Sequence, residues 1–392
     1  MKSTVPALLI LICFAQCSKS GNKPPASTPV LSSSLLTKDE GNGGTTAFEF
    51  IFKLSAASTS QVSVNVKTSD GFAKTGEDYV ALDQQLIFAP GETEKKVTVQ
   101  VVADDLKEGK DDFKLVLTNA SGCTPGSPSY IGVITNDDTK IPVSDAGFST
   151  PNDYAGMTKV WADEFDGTVV NPADWNFETG DGCPNCGWGN NELEYYTNGN
   201  NVYLQSGKLI IEAREESLGG KNYTSTRMTT KGKKFFKYGR IDIRAKLPVG
   251  QGVWPALWMF PEENKFGGWP SSGEIDMMEM LGHEPSKLYS TVHYGLLPNN
   301  RNISRSTNSA TPLNNEFHVY SMIWENNKMQ FLLDNVVYNT IVLADLTGYT
   351  YPFNESFFFI FNVAVGGNWP GSPTVNTYFP QWMAVDYVRV FQ

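Results

Sequence analysis

Gly273-Glu274-Ile275-Asp276-Met277-Met278-Glu279-Met280 is the stretch that decides the fold. Three carboxylates fall within six residues, and only Ile and Met separate them. Successive side chains of a β-strand point to opposite faces. The Ile and Met positions therefore pack on a core, and the acids line the other side. Glu274 and Asp276 share that side, whereas Glu279 has the opposite parity in a regular strand. A β-bulge at Met277-Met278 corrects this, because one extra residue re-aims everything after it. The segment reads as a strand inside a sheet that has one wet face.

The surrounding sequence continues the pattern. Lys208 to Ala213, Gly239 to Ala245 and Phe317 to Trp324 read as strands. Glu325-Asn326-Asn327-Lys328 and Asp334-Asn335 read as hairpin turns. Helical periodicity is nearly absent and no repeat is visible. Residues 159–392 are expected to fold as a β-jelly-roll sandwich. Farther upstream, Phe48 to Phe52, Val62 to Val66, Val97 to Val101 and Phe113 to Leu117 alternate apolar and polar residues between turn residues. Residues 35–138 are therefore expected to form an immunoglobulin-like β-sandwich. The whole chain is all-β on this reading. All 9 Trp lie at or after Trp161, which supports two domains of different kind. Residues 139–158, rich in Pro, Ser, Gly and Asp, read as a linker.

The N-terminus reads as an address. Lys2 precedes an apolar run from Val5 to Ala15, too short to span a bilayer as a mature helix. Phe14-Ala15-Gln16-Cys17 is similar to a loose bacterial lipobox. Residues 1–17 are read as a signal peptide ending at Cys17, and 18–34 as a flexible tether. A secreted protein or an outer-membrane or cell-surface lipoprotein of a bacterium is expected, touching the membrane only through that lipid anchor. A monomer is expected.

Composition removes several functions. Lys plus Arg is 31 against 42 Asp plus Glu, a net charge of −11. Neither nucleic acid nor an anionic lipid surface is a fitting partner. With 3 His a multi-histidine metal centre is disfavoured. Aromatic residues make up 12% of the chain, and flat indole faces suit sugar rings as well as cores.

Carboxylates on one strand face suit retaining glycoside hydrolysis. That chemistry needs two carboxyls about 5–5.5 Å apart, one as nucleophile and one as acid/base. A third between them can tune the nucleophile, and mutual repulsion raises at least one pKa. An acidic strand holding calcium, or a plain surface strand, is the competing reading. Against it stand Trp254 and Trp258 upstream, Trp269 just before the strand and His293 on the next one.

Residues 159–392 resemble family 16 glycoside hydrolases, most closely bacterial laminarinase-like endo-β-1,3-glucanases. The motifs are Trp161 to Asp166, Trp188 to Tyr196, Tyr223 to Arg227, Lys237 to Arg240, Glu274 to Glu279, Val363 to Gly371 and Val385 to Val390. The resemblance implies Glu274 as nucleophile, Glu279 as acid/base and Asp276 as the residue orienting the nucleophile. It implies that Trp254 and Trp258 line the cleft, that Trp269 joins the substrate-binding set, and that His293 approaches the acid/base. Asn191 and Arg227 are implied to hydrogen-bond sugar hydroxyls on the non-reducing side. The bulged form of the acidic motif disfavours mixed-linkage lichenase activity, which belongs to the unbulged form. No cofactor is implied for catalysis. A structural calcium ion is implied at Glu164, the Gly207 carbonyl and Asp386.

The upstream domain is similar to Calx-beta domains through Gly76 to Tyr79, Leu86 to Glu92, and the acids near Asp104. Glu40, Asp78, Asp104, Asp105, Glu108, Asp137 and Asp138 are either calcium ligands or the solvated rim of a spacer. Cys183-Pro184-Asn185-Cys186 reads as a local disulfide, and Cys123 as a buried thiol. The expected function is exported, retaining hydrolysis of β-1,3-glucan. Hydrolysis of mixed-linkage glucan or an agar-type polysaccharide is the alternative. A glycan-binding protein of the same fold is disfavoured, because both Glu274 and Glu279 are present.

Overall fold

A computed structural model describes residues 28–392 except Glu108 and Lys110. The signal segment, Cys17 and the tether as far as Ser27 lie outside the described residues. No helix among the described residues is long and apolar enough to cross a membrane. The chain forms two compact units, and each is a sandwich of β-sheets.

In the N-terminal unit, one sheet orders the strands Glu94–Ala103, Gly44–Leu54, Val30–Ser32 and Thr124–Pro125. The other orders Leu36–Asp39, Ser129–Thr135, Asp111–Ser121, Val62–Asp70 and Asp83–Phe88. The alternation works as read. Phe48, Phe50 and Phe52 are buried with Val62, Val64, Val66, Val97, Val99 and Val101 between the sheets. Tyr79 stacks on Phe113 at 4.9 Å, and its hydroxyl donates to Asp70. The sandwich starts earlier than residue 35. Val30–Ser32 pairs with Gly44–Leu54, burying Leu31 completely. Three residues are too few to show a period, so composition alone placed them in the tether.

The second unit stacks two large sheets. The outer one orders Val202–Gln205, Lys208–Ala213, Gln381–Phe391, Gly239–Lys246, His318–Glu325, Lys328–Leu333 and Val336–Val342, with Lys159–Asp163 also on the long terminal strand. The inner one orders Asn176–Glu178, Arg227–Thr229, Phe357–Val365, Val253–Pro261, Glu274–Glu279, Lys287–Leu296 and Asn299–Asn308. Ile241, Ile243, Met322 and Phe331 from the outer sheet meet Leu257, Met259, Ile275, Phe359 and Phe361 from the inner one. Each such residue, fully buried, contributes roughly 2 kcal/mol of transfer free energy.

The strand Phe357–Val365 is buried at every position. Its odd residues enter the core between the sheets. Phe358 and Ile360 instead join Ala256, Trp258 and Phe260 in a second apolar layer. That layer is the floor of a cleft on the far face of the inner sheet.

Residues 139–158 are not a free linker. Ile141 is buried against Ile210, Phe317 and Ala384. The Gln205 side chain both accepts from the Ile141 amide and donates to its carbonyl, at 3.0 and 2.9 Å. Phe317 N–H donates to the Ala146 carbonyl, and Thr150 N–H donates to the Tyr387 hydroxyl. The segment straps the outer sheet by backbone hydrogen bonds, which its turn-rich composition does not signal.

Candidate active site

The bulge lies where the acidic strand needs it. Trp258 pairs with Asp276 and Leu257 with Met278, so Met277 is the extra residue. On the other side Asp276 pairs with Thr291, while Glu279 pairs with Tyr289. Met277 and Met278 both enter the core. Glu274, Asp276 and Glu279 consequently line one cleft of about 970 Å³.

Each acid has its own partners. The Trp269 indole N–H donates to Glu274 Oε2 at 2.7 Å. Glu279 accepts from the Trp254 indole at 3.2 Å and from the Thr291 hydroxyl at 3.4 Å. Asp276 lies between them, and its Oδ2 is buried with no hydrogen-bond partner among the described residues. Burial raises all three pKa values, because a low-dielectric site disfavours the charged forms. Asp276 is pushed well up by burial, then by its two acidic neighbours. Burial and the Glu274 charge push Glu279 to about 8. Burial pushes Glu274 to about 7, with the Trp269 hydrogen bond and Arg227 acting downward. These acids titrate as a set.

His293 stands elsewhere than its resemblance implied. Its Nε2 lies 3.6 Å from Glu274 and 3.5 Å from Asp276. His293 pairs with Glu274, ahead of the bulge, and it is Thr291, paired with Asp276, that hydrogen-bonds Glu279. Burial holds His293 down near 4, which keeps the imidazole neutral at ordinary pH.

The aromatic residues divide by task. Trp254 lines the cleft, with Trp369 edge-on at 5.5 Å. Trp269 is 43% exposed and lines the cleft beside Glu274. Trp258 is floor rather than a free platform. Its N–H donates to Asn362 Oδ1 at 2.7 Å, and the Arg227 guanidinium lies over its ring at 4.6 Å. Arg227 is clamped from another side by Trp188, also at 4.6 Å, and its Nε donates to Glu178 Oε2 at 2.5 Å. Held in this way, Arg227 lines the cleft.

Asn191 departs from expectation. It donates to Asn368 Oδ1 at 2.8 Å from a left-handed backbone position (φ 59°), and Asn190 lines the cleft in its place. Glu178 and Thr291 were not singled out from the sequence, and Trp188 and Trp369 entered its reading only as members of motifs, without a role of their own. For the two Trp a signal exists, since each sits in a glycine-bearing loop where no core position is available. Glu194 is completely buried, and burial together with Glu192 raises its pKa well up. Its Oε2 accepts from the Val365 amide at 2.6 Å, which anchors the loop carrying Trp369.

The proposed calcium residues do not fit a divalent cation. Both Glu164 oxygens accept from Arg389 at 2.7 Å. Asp386 accepts from Lys208 at 2.8 Å and from Arg244 at 2.7 Å. These two carboxylates already face three cationic side chains, and a divalent ion would add like charge. Chelator is expected to leave unchanged the temperature at which hydrolytic activity is lost. An ion held at a hundred times its Kd would instead add about 2.7 kcal/mol, so a fall of several degrees with chelator would restore the calcium reading.

Of the acids near the end of the upstream sandwich, Glu40, Asp137 and Asp138 bring oxygens within 4.8 Å of one another. Asp104 accepts from the Leu106 amide, Asp105 pairs with Lys140, and Asp78 accepts from the Lys74 amide. Glu108 lies outside the described residues. Cys183 and Cys186 form a disulfide beside the cleft, and Cys123 is a buried free thiol.

Comparison with known proteins agrees with this geometry. Residues 185–388 match the family "Glycosyl hydrolases family 16", and residues 33–139 match "Calx-beta domain". Glucan endo-1,3-beta-glucosidase A1 of Niallia circulans is 40% identical over 272 residues, which is 63% of this chain and 40% of that protein. The chain thus spans well under half the length of that relative. Beta-glucanase of Rhodothermus marinus is 39% identical over 245 residues, 59% of this chain and 84% of that one. The laminarinase catalytic domain of Thermotoga maritima superposes with a TM-score of 0.57 at 42% identity, covering 60% of this chain and 98% of that one. A carboxylate-lined cleft on a jelly-roll sheet and a family match over more than half the sequence lead to one assignment: the chain belongs to glycosyl hydrolases family 16 and is a glycoside hydrolase.

Proposed function

We propose that the protein is an exported endo-β-1,3-glucanase that retains anomeric configuration. The observation that carries this reading is the bulged strand, which puts Glu274, Asp276 and Glu279 on one cleft face. The likeness to the Niallia, Rhodothermus and Thermotoga glucanases supports β-glucan as substrate. The apolar run from Val5 to Ala15 before Cys17 supports export.

Glu274 attacks the anomeric carbon as a carboxylate. Asp276, kept protonated by burial and by its two acidic neighbours, spares it a second negative neighbour. The Trp269 N–H and Arg227 favour its ionised form. Glu279, pushed to about 8, keeps its proton at neutral pH and delivers it to the departing glycosidic oxygen. The same group then takes a proton from water as the glycosyl ester on Glu274 is hydrolysed. Neighbours that set two carboxyls apart are what this division of labour requires.

Reducing-sugar release from laminarin, curdlan, lichenan and agarose tests the substrate. Laminarin is expected to be cleaved fastest, with oligosaccharides of several lengths appearing early. Agarose as the sole substrate would overturn the glucan assignment.

A further inference from the structure

The inner sheet ends in the exposed edge strand Asn299–Asn308. Its residues alternate in role. Ile303 packs against the core, and Arg301 Nε donates to the Tyr349 hydroxyl. Asn300, Asn302 and Ser304, two residues apart, line the cleft instead. Neither Asn side chain has a hydrogen-bond partner among the described residues. Both carry paired donors and acceptors, the groups that match sugar hydroxyls.

Register ties this row to the acids. Asn302 pairs with His293, which pairs with Glu274. Ser304 pairs with Thr291, which pairs with Asp276. The hydroxyls of Ser304 and Thr291 are 3.0 Å apart, and Thr291 donates to Glu279. The residue read as acid/base is therefore hydrogen-bonded toward the edge strand. Trp258, on the adjacent strand Val253–Pro261, and Arg227, beyond Phe357–Val365, lie on the opposite side of the acidic strand. From the acidic strand to the edge is two strand spacings, about 10 Å, enough for two sugar rings. Leu297, 63% exposed at the hairpin tip, closes the row with an apolar surface for a ring face.

We propose that Asn300, Asn302 and Ser304 form the binding site for the leaving-group half of the glucan, the part that departs with the original reducing end. This rests on the function proposed above. The row holds the departing sugars by hydroxyl contacts while Glu279 protonates the oxygen between the halves. It sets how many sugar units a substrate needs beyond the cleaved bond.

The test compares wild type with the Asn300→Ala/Asn302→Ala double variant on two substrates. One is a β-1,3-linked glucohexaose. The other is a nitrophenyl β-1,3-glucotrioside, whose leaving group has no sugar hydroxyls. The double variant is expected to lose about tenfold more kcat/KM on the hexaose than on the aryl glycoside, as two lost hydrogen bonds predict. An unchanged ratio, whether both rates fall together or neither falls, overturns the inference alone. A wild type that cleaves neither substrate overturns the proposed function, and this site with it.

Discussion

Glu274→Ser is expected to abolish laminarin hydrolysis, with kcat reduced about 10⁴-fold or more, as for loss of other covalent nucleophiles. The expectation follows from position as well as residue type. Glu274 receives the Trp269 N–H and lies next to a strongly neutralised Asp276. The two other acids of the strand are held in different surroundings. Glu279 is held by Trp254 and Thr291, and Asp276 is 4% exposed. The serine hydroxyl also opens space for a small anion. Azide added to the variant with an activated aryl glucoside should yield the α-glucosyl azide, because the anion replaces the nucleophile on the same face. Formation of the β-azide, or activity equal to wild type, would transfer the nucleophilic role to another residue.

Glu279→Ala should show a different signature. Its role is to deliver a proton, so the loss should scale with the basicity of the leaving group. Natural glucan, with an alkoxide leaving group, should be cleaved 10²–10⁴-fold more slowly, the usual contribution of general acid catalysis. A dinitrophenyl glycoside, which needs no proton to depart, should form the glycosyl-enzyme at a nearly unchanged rate. The pH profile provides a second reading. For wild type, kcat/KM should fall as pH rises through about 8, where Glu279 loses its proton. It should also fall as pH drops below about 7, where Glu274 gains one. Because the acids are coupled, both limbs belong to the set. In the variant the alkaline limb should disappear for the dinitrophenyl substrate. A limb that persists there would assign it to a group other than Glu279.

The legible part of this molecule was whatever alternation could express. Phe48 to Phe52 and Val62 to Val66 announced their strands because one face is core and the other solvent. The acidic strand was legible for the same reason, and its bulge followed from the parity of Glu279. Phe357–Val365 offers no such clue, since an apolar floor replaces solvent on its second face. Val30–Ser32 and the strap through Ile141 are held by backbone pairing and single buried side chains, which leave no period. Within the site, the residue types were readable and the partners were not. Arg227 meets Trp188 and Glu178 only after the chain has folded across roughly forty to fifty residues of sequence, and only the pairing with the next strand, which sets His293 opposite Glu274, leaves Thr291 as the partner of Glu279. The calcium expectation failed on similar grounds, because Arg389, Lys208 and Arg244 reach Glu164 and Asp386 only across the strands of the outer sheet.

Two consecutive methionines that both face inward make the acidic strand change phase partway along. Before them even-numbered residues are wet; after them odd-numbered ones are. A segment built this way can differ by one residue in length at that point while every side chain beyond it keeps its surroundings. What stays fixed is the wet side of the ribbon, and the number of residues between its outer acids is free to be three or four. A search that insists on a single spacing between paired carboxylates would divide such proteins into unrelated groups, although their clefts present the same chemistry.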